Sequence, residues 1–349
     1  MKPHRLLGRL APGIATALLF AALARSGVAC AAQTVGAIAR LDPRFDLIVP
    51  PGARLEKIAD GFAWVEGPLW DARSASLLFS DVPNNAIYKW NQRIGAALFL
   101  KPSGYTGEAP FAGREPGSNG LTFDAAGRLL LAEHGNRRIA RLEPDGTRTI
   151  LASHYRGRRL NSPNDLVYRS NGDLYFTDPP FGLPKTFDDP AKELPFQGVY
   201  RLRADGQLDL LTSELRAPNG IAFSPDEKTL YVTDVDPMRS AWLAFDVNED
   251  GTLGRSRVIH DATGISHRGV GAPDGLKVDR HGNLFGAGPG GVYVFSPDGT
   301  HLGTIHTGVA TGNCAWGDDG SVLYIAASTA LYRIRLDVKG IAPLTRDAQ

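Results

Sequence analysis

Read from its 349 residues, the chain is an all-β protein, a six-bladed β-propeller. The first indication is a short phrase that returns six times. Its copies are Glu66-Gly67-Pro68-Leu69-Trp70, Asn119-Gly120-Leu121-Thr122-Phe123, Asn164-Asp165-Leu166-Val167-Tyr168, Asn219-Gly220-Ile221-Ala222-Phe223, Asp274-Gly275-Leu276-Lys277-Val278 and the degenerate Gly312-Asn313-Cys314-Ala315-Trp316. The second is spacing: successive copies lie 53, 45, 55, 55 and 38 residues apart, the mass of a four-stranded blade with variable loops. The third is punctuation. Forty glycines and 24 prolines, scattered rather than clustered, suit short strands and tight turns and suit long helices poorly.

From the N-terminus, Lys2, His4, Arg5 and Arg9 form a basic head, Leu10 to Ala24 is apolar, and Ala29-Cys30-Ala31 fits a small-residue cleavage site. Residues 1–31 are therefore expected to be a signal peptide that exports the chain to a periplasm, not a membrane span. Gly27-Val28-Ala29-Cys30 is the lipoprotein-type alternative for the same segment. Cleavage after Ala31 removes Cys30, which leaves Cys314 alone and forbids an intramolecular disulfide. It also shifts the net charge from +1 to −3, because Lys2, Arg5, Arg9 and Arg25 go and no acid does. No basic excess remains for a nucleic-acid partner.

Residues 32–53 read as an N-terminal extension and 54–349 as the propeller. Within each copy an alternating strand is followed by a polar turn such as Ser170-Asn171-Gly172, then a buried strand such as Leu129-Leu130-Leu131-Ala132. Several copies add a third strand, as at Gly198-Val199-Tyr200-Arg201-Leu202. Arg54 to Ile58 precedes the first copy and is expected to supply the outer strand of the sixth blade, closing the circle. A β-sandwich is the rival architecture, but it has no need of six equivalent phrases.

In a propeller the innermost strands run beside the central channel, so one repeat position faces one end of it. That ring reads Glu66, Asn119, Asn164, Asn219, Asp274, Gly312. Two carboxylates and three carboxamides make an oxygen-only cage, which suits one hard divalent cation, Ca²⁺ before Mg²⁺, Mn²⁺ or Zn²⁺. The rival explanation is turn chemistry, which favours Asn-Gly and Asp-Gly for their own sake. Glu66-Gly67-Pro68 does not fit that explanation.

These phrases, with Ser162-Pro163-Asn164-Asp165, Thr177-Asp178-Pro179 and Pro273-Asp274-Gly275, resemble the SMP-30/gluconolactonase/LRE family over nearly the whole chain after the leader. The segment Ala132-Glu133-His134-Gly135-Asn136-Arg137-Arg138 is similar to the bacterial gluconolactonase branch. The resemblance implies a six-bladed propeller holding one catalytic divalent metal and hydrolysing lactones. It assigns Glu66, Asn219 and Asp274 as metal ligands, Asn164 as a ligand or substrate contact, and Asp274 as proton donor and acceptor.

The residues support that chemistry independently. A lactone carbonyl needs an electrophile, which a bound metal supplies, and a base for water, which a carboxylate beside the metal supplies. Asp165 is the expected carboxylate behind a ring carboxamide. Asn119, Asn164, His134 and Arg137 are the candidate partners of a polyhydroxy substrate. An organophosphate or aryl-ester hydrolase on the same metal is the alternative enzyme, its apolar mouth supplied by residues 177–196. A non-enzymatic binding platform is the alternative class.

Other motifs are missing or misplaced. There is no G-x-S-x-G elbow and no H-E-x-x-H. Gly286-Ala287-Gly288-Pro289-Gly290-Gly291 satisfies G-x-G-x-x-G, but the strand-like Val292-Tyr293-Val294-Phe295 follows it. No helix N-terminus is offered to a pyrophosphate, and a hairpin turn is expected. Arg156-Gly157-Arg158-Arg159 reads as a solvated loop.

Overall fold

The structure, a computed structural model, describes Met1 and residues 33–266 and 270–341. The expected leader lies outside the described residues. Among them, strands dominate, and no helix is long and apolar enough to cross a membrane.

Six antiparallel sheets each carry one copy of the repeated phrase on their innermost strand or just before it. The first blade runs Val65–Asp71, Ser76–Asp81, Ala86–Asn91 and Gly95–Leu100 from the axis outward. The second runs Ser118–Phe123 to Arg148–Ala152, and the fourth Pro218–Phe223 to Leu253–Asp261. In the third and fifth blades the inner strand is short, Leu166–Tyr168 and Leu276–Val278. There the ring residue stands just ahead of it.

Closure is as expected from the sequence. Leu55–Asp60 pairs with Ala330–Arg335, so the first strand of the propeller completes the last blade. The preceding residues go further than the sequence reading allowed. Gln33–Val35 adds a fifth strand to the sixth blade and Ala37–Arg40 a fifth to the fifth blade. Phe45, in the short 3₁₀ turn Pro43–Leu47, is fully buried with Val49 and Leu302. Burying one such side chain contributes about 1.5–3 kcal/mol, which anchors the segment together with its strand pairing and the Leu41 and Asp42 N–H bonds to the Leu302 carbonyl. The short alternation at 37–40 resembles a loop until Gly303 to His306 appears beside it.

Apolar side chains fill the seams between blades. Leu130, Ile139, Leu166, Phe176 and Tyr200, for example, form one cluster from the second and third blades. The glycine-rich segment at 286–291 is the expected hairpin, with Gly288 paired to Gly291 and Gly290 at φ +74°.

Candidate active site

The ring residues are linked blade to blade by contacts that run once around the axis. Ser80 Oγ donates to the Asn119 carbonyl at 2.9 Å, and Gly120 N to the Asn164 carbonyl at 2.7 Å. Thr177 Oγ1 donates to the Asn219 carbonyl at 2.6 Å and Thr233 Oγ1 to the Asp274 carbonyl at 2.9 Å. Gly275 N donates to the Gly312 carbonyl at 2.7 Å. The circle closes at Gly312, where a Cβ would collide with Oε1 of Glu66. The sixth position is therefore empty of side chain because the Glu66 carboxylate occupies that space.

The same packing settles the turn explanation. Asn119-Gly120 and Asn219-Gly220 lie inside strands, and neither glycine has positive φ. Gly220 is glycine because a Cβ there would strike the Asp274 carbonyl of the next blade. At these two positions close approach of neighbouring inner strands, not turn geometry, dictates glycine, whereas Gly67 combines a φ of +50° with a close approach to the Asn119 carbonyl.

A second repeated device fixes the approach to the ring. An aspartate at the end of the second strand accepts backbone N–H groups just ahead of the ring residue. Asp81 accepts from Ala63 and Trp64, Asp178 from Asn161 and Ser162, and Asp234 from Arg216 and Ala217. Burial nevertheless pushes the Asp178 carboxyl up to about 7.

Glu66 is buried and accepts from Trp64 Nε1 at 3.3 Å and Gly67 N at 3.2 Å. Burial raises its pKa to about 8, with a further push from the Asp165 charge. Asp274 keeps some surface open to the channel. Its carboxyl is likewise pushed well above the usual range, first by desolvation and then by the charges of Glu66, Asp165 and Glu115. Two acids thus repel each other inside a ring whose remaining side chains are carboxamides. Asn164 and Asn219 are both buried, and the buried Oδ1 of Asn119 has no hydrogen-bond partner. This donor set fits a hard cation: the charge is negative, the donors are oxygen, and the site is desolvated. Among the described residues no three His, Cys, Asp or Glu side chains form a metal-holding group, so a cation here would draw on carboxamide oxygens.

The other expected site residues have these surroundings. Arg137 is buried, its Nε donating to the Leu160 and Asn161 carbonyls and its Nη1 to that of Ala191, while its buried Nη2 has no hydrogen-bond partner. Two of its three nitrogens thus brace the loops beside the ring. His134 is fully buried, with Nδ1 at 2.8 Å from Glu115 and Nε2 at 3.4 Å from Asn164 Nδ2. Both ring nitrogens are engaged within the protein. Asp165 stands behind a carboxamide as expected, but that of Asn313 (3.4 Å) rather than Asn164.

Three neighbours of the ring were not read from the sequence: Glu115, Asn313 and Lys277. The Lys277 ammonium lies 3.9 Å from Asp165 Oδ2 and donates to Asn313 Oδ1 at 3.4 Å, giving the third acid its own counter-charge. A signal for Lys277 existed. The third residue after the ring position is Leu69, Thr122, Val167, Ala222 or Ala315 in the other copies. Glu115 sits in the irregular segment between the first two blades, where no repeat marks it. Farther out, Phe181 and Phe187 meet edge to face at 6.4 Å, with Arg216 over Phe187.

Comparison with known proteins places the fold and the family. The gluconolactonase of Zymomonas mobilis is 40% identical over 315 residues, covering 88% of each chain. The crystal structure of a gluconolactonase from Xanthomonas campestris is 33% identical, with a TM-score of 0.76 over 88% of this chain and 98% of its own. A regucalcin of Agrobacterium tumefaciens, described as calcium-binding, is 19% identical with a TM-score of 0.64, covering 82% of this chain and 94% of its own; at that distance it shares the fold. The SMP-30/Gluconolactonase/LRE-like region matches residues 64–329. The chain belongs to the SMP-30/gluconolactonase/LRE-like family.

Proposed function

We propose that the protein hydrolyses a sugar lactone at the ring of Glu66, Asn164, Asn219 and Asp274, with one divalent cation, Ca²⁺ first, held by those four side chains. The observation that carries this reading is the mutually repelling pair of buried Glu66 and partly buried Asp274 among carboxamide oxygens. Lactone hydrolysis is also the activity named for the relatives from Zymomonas mobilis and Xanthomonas campestris. Bound there, the cation supplies Lewis acidity toward the lactone carbonyl oxygen.

The chain's own groups do the rest. The Asp274 carboxylate takes a proton from the attacking water as the water oxygen bonds to the carbonyl carbon. When the ring C–O bond breaks, that proton passes to the departing alkoxide oxygen, leaving a hydroxy acid. Desolvation first, and then the neighbouring acids, raise the basicity of Asp274, which suits a proton acceptor. Glu66 balances cation charge without touching the proton path. Asn119, with its unpartnered acceptor, receives a substrate hydroxyl.

Hydrolysis of glucono-1,5-lactone by the purified protein, with and without chelator, tests the reading. Turnover that chelation leaves untouched would refute the metal-dependent mechanism. One observation favours a second reading, an aryl-ester or organophosphate hydrolase on the same ring: the Phe181–Phe187 aromatic pair within the 177–196 loop. A higher kcat/KM for phenyl acetate than for the lactone would select it. We also read residues 1–31 as an export leader to the periplasm. Mass spectrometry of the periplasmic protein should find Ala32 at the mature N-terminus.

A further inference from the structure

We infer that Glu115 and His134 form an orientation lock that decides which end of the Asn164 carboxamide faces the ring. The inference rests on the ring-cation reading above and concerns residues that the reaction itself does not use. An asparagine can serve a cation only through Oδ1; turned over, it would present two N–H donors to the cation. Asn164 is buried, so its amide has no free rotation in water to settle the choice. A neighbour must settle it.

That neighbour is His134. Its Nε2 faces Asn164 Nδ2 at 3.4 Å, and this contact uses the amide's donor end. The assignment holds only if Nε2 carries a lone pair. Glu115 provides this, because its Oε2 lies 2.8 Å from Nδ1 and accepts the imidazole's one N–H. A carboxylate on one ring nitrogen thus fixes the tautomer, and the tautomer fixes the amide. The residue that bears the imidazole is firmly seated. It is fully buried, its backbone N–H is bonded to the Gly117 carbonyl at 3.1 Å, and Gly182 packs against its Cβ so closely that a side chain there would clash. Loop 101–117 and the segment after Glu133 therefore meet to aim a ligand borne by the next blade. Glu115 and His134 are positioning residues, not catalytic ones.

The experiment compares Glu115→Leu, Glu115→Gln, His134→Leu and His134→Gln with the wild-type protein. Calorimetric titration of the chelator-stripped protein with Ca²⁺ is paired with imidazole ¹⁵N NMR. Glu115→Leu and His134→Leu should weaken Ca²⁺ binding by roughly 10–100-fold, the usual cost of losing the partner behind a metal ligand. Glu115→Gln and His134→Gln keep an acceptor oxygen at each link and should retain affinity within a few-fold. In the wild-type spectrum His134 should carry its proton on Nδ1.

A fall in Glu115→Gln equal to that in Glu115→Leu overturns the lock, since charge rather than the hydrogen bond would then be responsible. Unchanged affinity in both leucine variants overturns it too, as does an Nε2–H tautomer in the wild type. A wild-type protein with no Ca²⁺ affinity that Glu66→Gln weakens overturns the ring-cation reading. In that event the NMR result still decides whether the tautomer is set as inferred.

Discussion

The two ends of the central channel are built from the same six inner strands, a few residues apart, and they are chemically opposite. At one end stand the buried Glu66, Asn119, Asn164 and Asn219 and the partly buried Asp274, with the two acids raised in pKa and Oδ1 of Asn119 unpartnered. At the other end the following residues of those strands, among them Leu69, Leu121, Leu166, Ile221 and Trp316, line a cavity of about 170 Å³. Of its lining residues only Glu227 and Lys277 are charged. The difference teaches how a propeller separates stability from chemistry along one axis. The mostly apolar lining beneath the ring lowers the local polarity there, and in that surrounding each carboxylate at the ring is costlier to leave uncompensated.

If that division holds, substitutions at the ring should change activity and leave folding largely intact, and those at the far end should do the reverse. Removing the cation should have the largest effect. With excess chelator, lactone turnover should fall to background, and adding back Ca²⁺ should restore it. Next comes Asp274→Asn, which keeps shape and one carbonyl oxygen but removes the base. At saturating metal its kcat should drop at least ~10²-fold, the low end for a positioned acid–base group. Glu66→Gln makes the same charge change without touching the proton path, so its activity should recover as metal is raised. Equal recovery of both variants would reduce Asp274 to a ligand.

The pH dependence sharpens the same contrast. Without metal the Glu66 carboxyl titrates at about 8, against an ordinary value of 4.5. Protons therefore compete with the cation, and apparent Ca²⁺ affinity should climb as pH rises toward 8, by up to ~10-fold per unit for one displaced proton. The linked sign for folding is opposite. Between 4.5 and 8 the folded metal-free protein binds more protons at Glu66 than the unfolded chain does, so its stability should fall as pH rises across that window. Added Ca²⁺ should cancel the loss. Calorimetric titrations and thermal melts from pH 6 to 8 check both signs.

Asn119→Ala is expected to raise KM and leave kcat nearly unchanged, as for a contact made equally in ground and transition states. Two residues further along that strand, Leu121→Ala should cost roughly 2–5 kcal/mol of folding stability. It should leave Ca²⁺ affinity and kcat at wild-type values. A change in metal affinity as large as the change in stability would mean that the two ends are not separable.

Much of this arrangement is legible in the residues, and the particular failures explain why the rest is not. The repeated phrase marks the ring because each blade solves the same local problem, and Glu66 stands out in it as an acid where turn chemistry has no use for one. Arg54 to Ile58 was recognisable as the closing strand because one blade lacked a member. His134 and Arg137 were visible as unusual polar residues, but their duties were not. Whether a loop guanidinium meets substrate or the carbonyls of Leu160 and Ala191 depends on chain that is far away in sequence.

The sequence by itself determined the blade count, the position of each ring residue and the oxygen-only chemistry of the ring, since these depend on periodicity and side-chain type. Only the tertiary structure decided what stands behind the ring. Glu115 on His134, Lys277 beside Asp165 and Asn313, the fifth strands at 33–40 and the empty sixth position opposite Glu66 all pair residues from different blades or irregular loops. Such pairs form at distances that closing the propeller sets, and no local pattern in the chain encodes a distance of that kind.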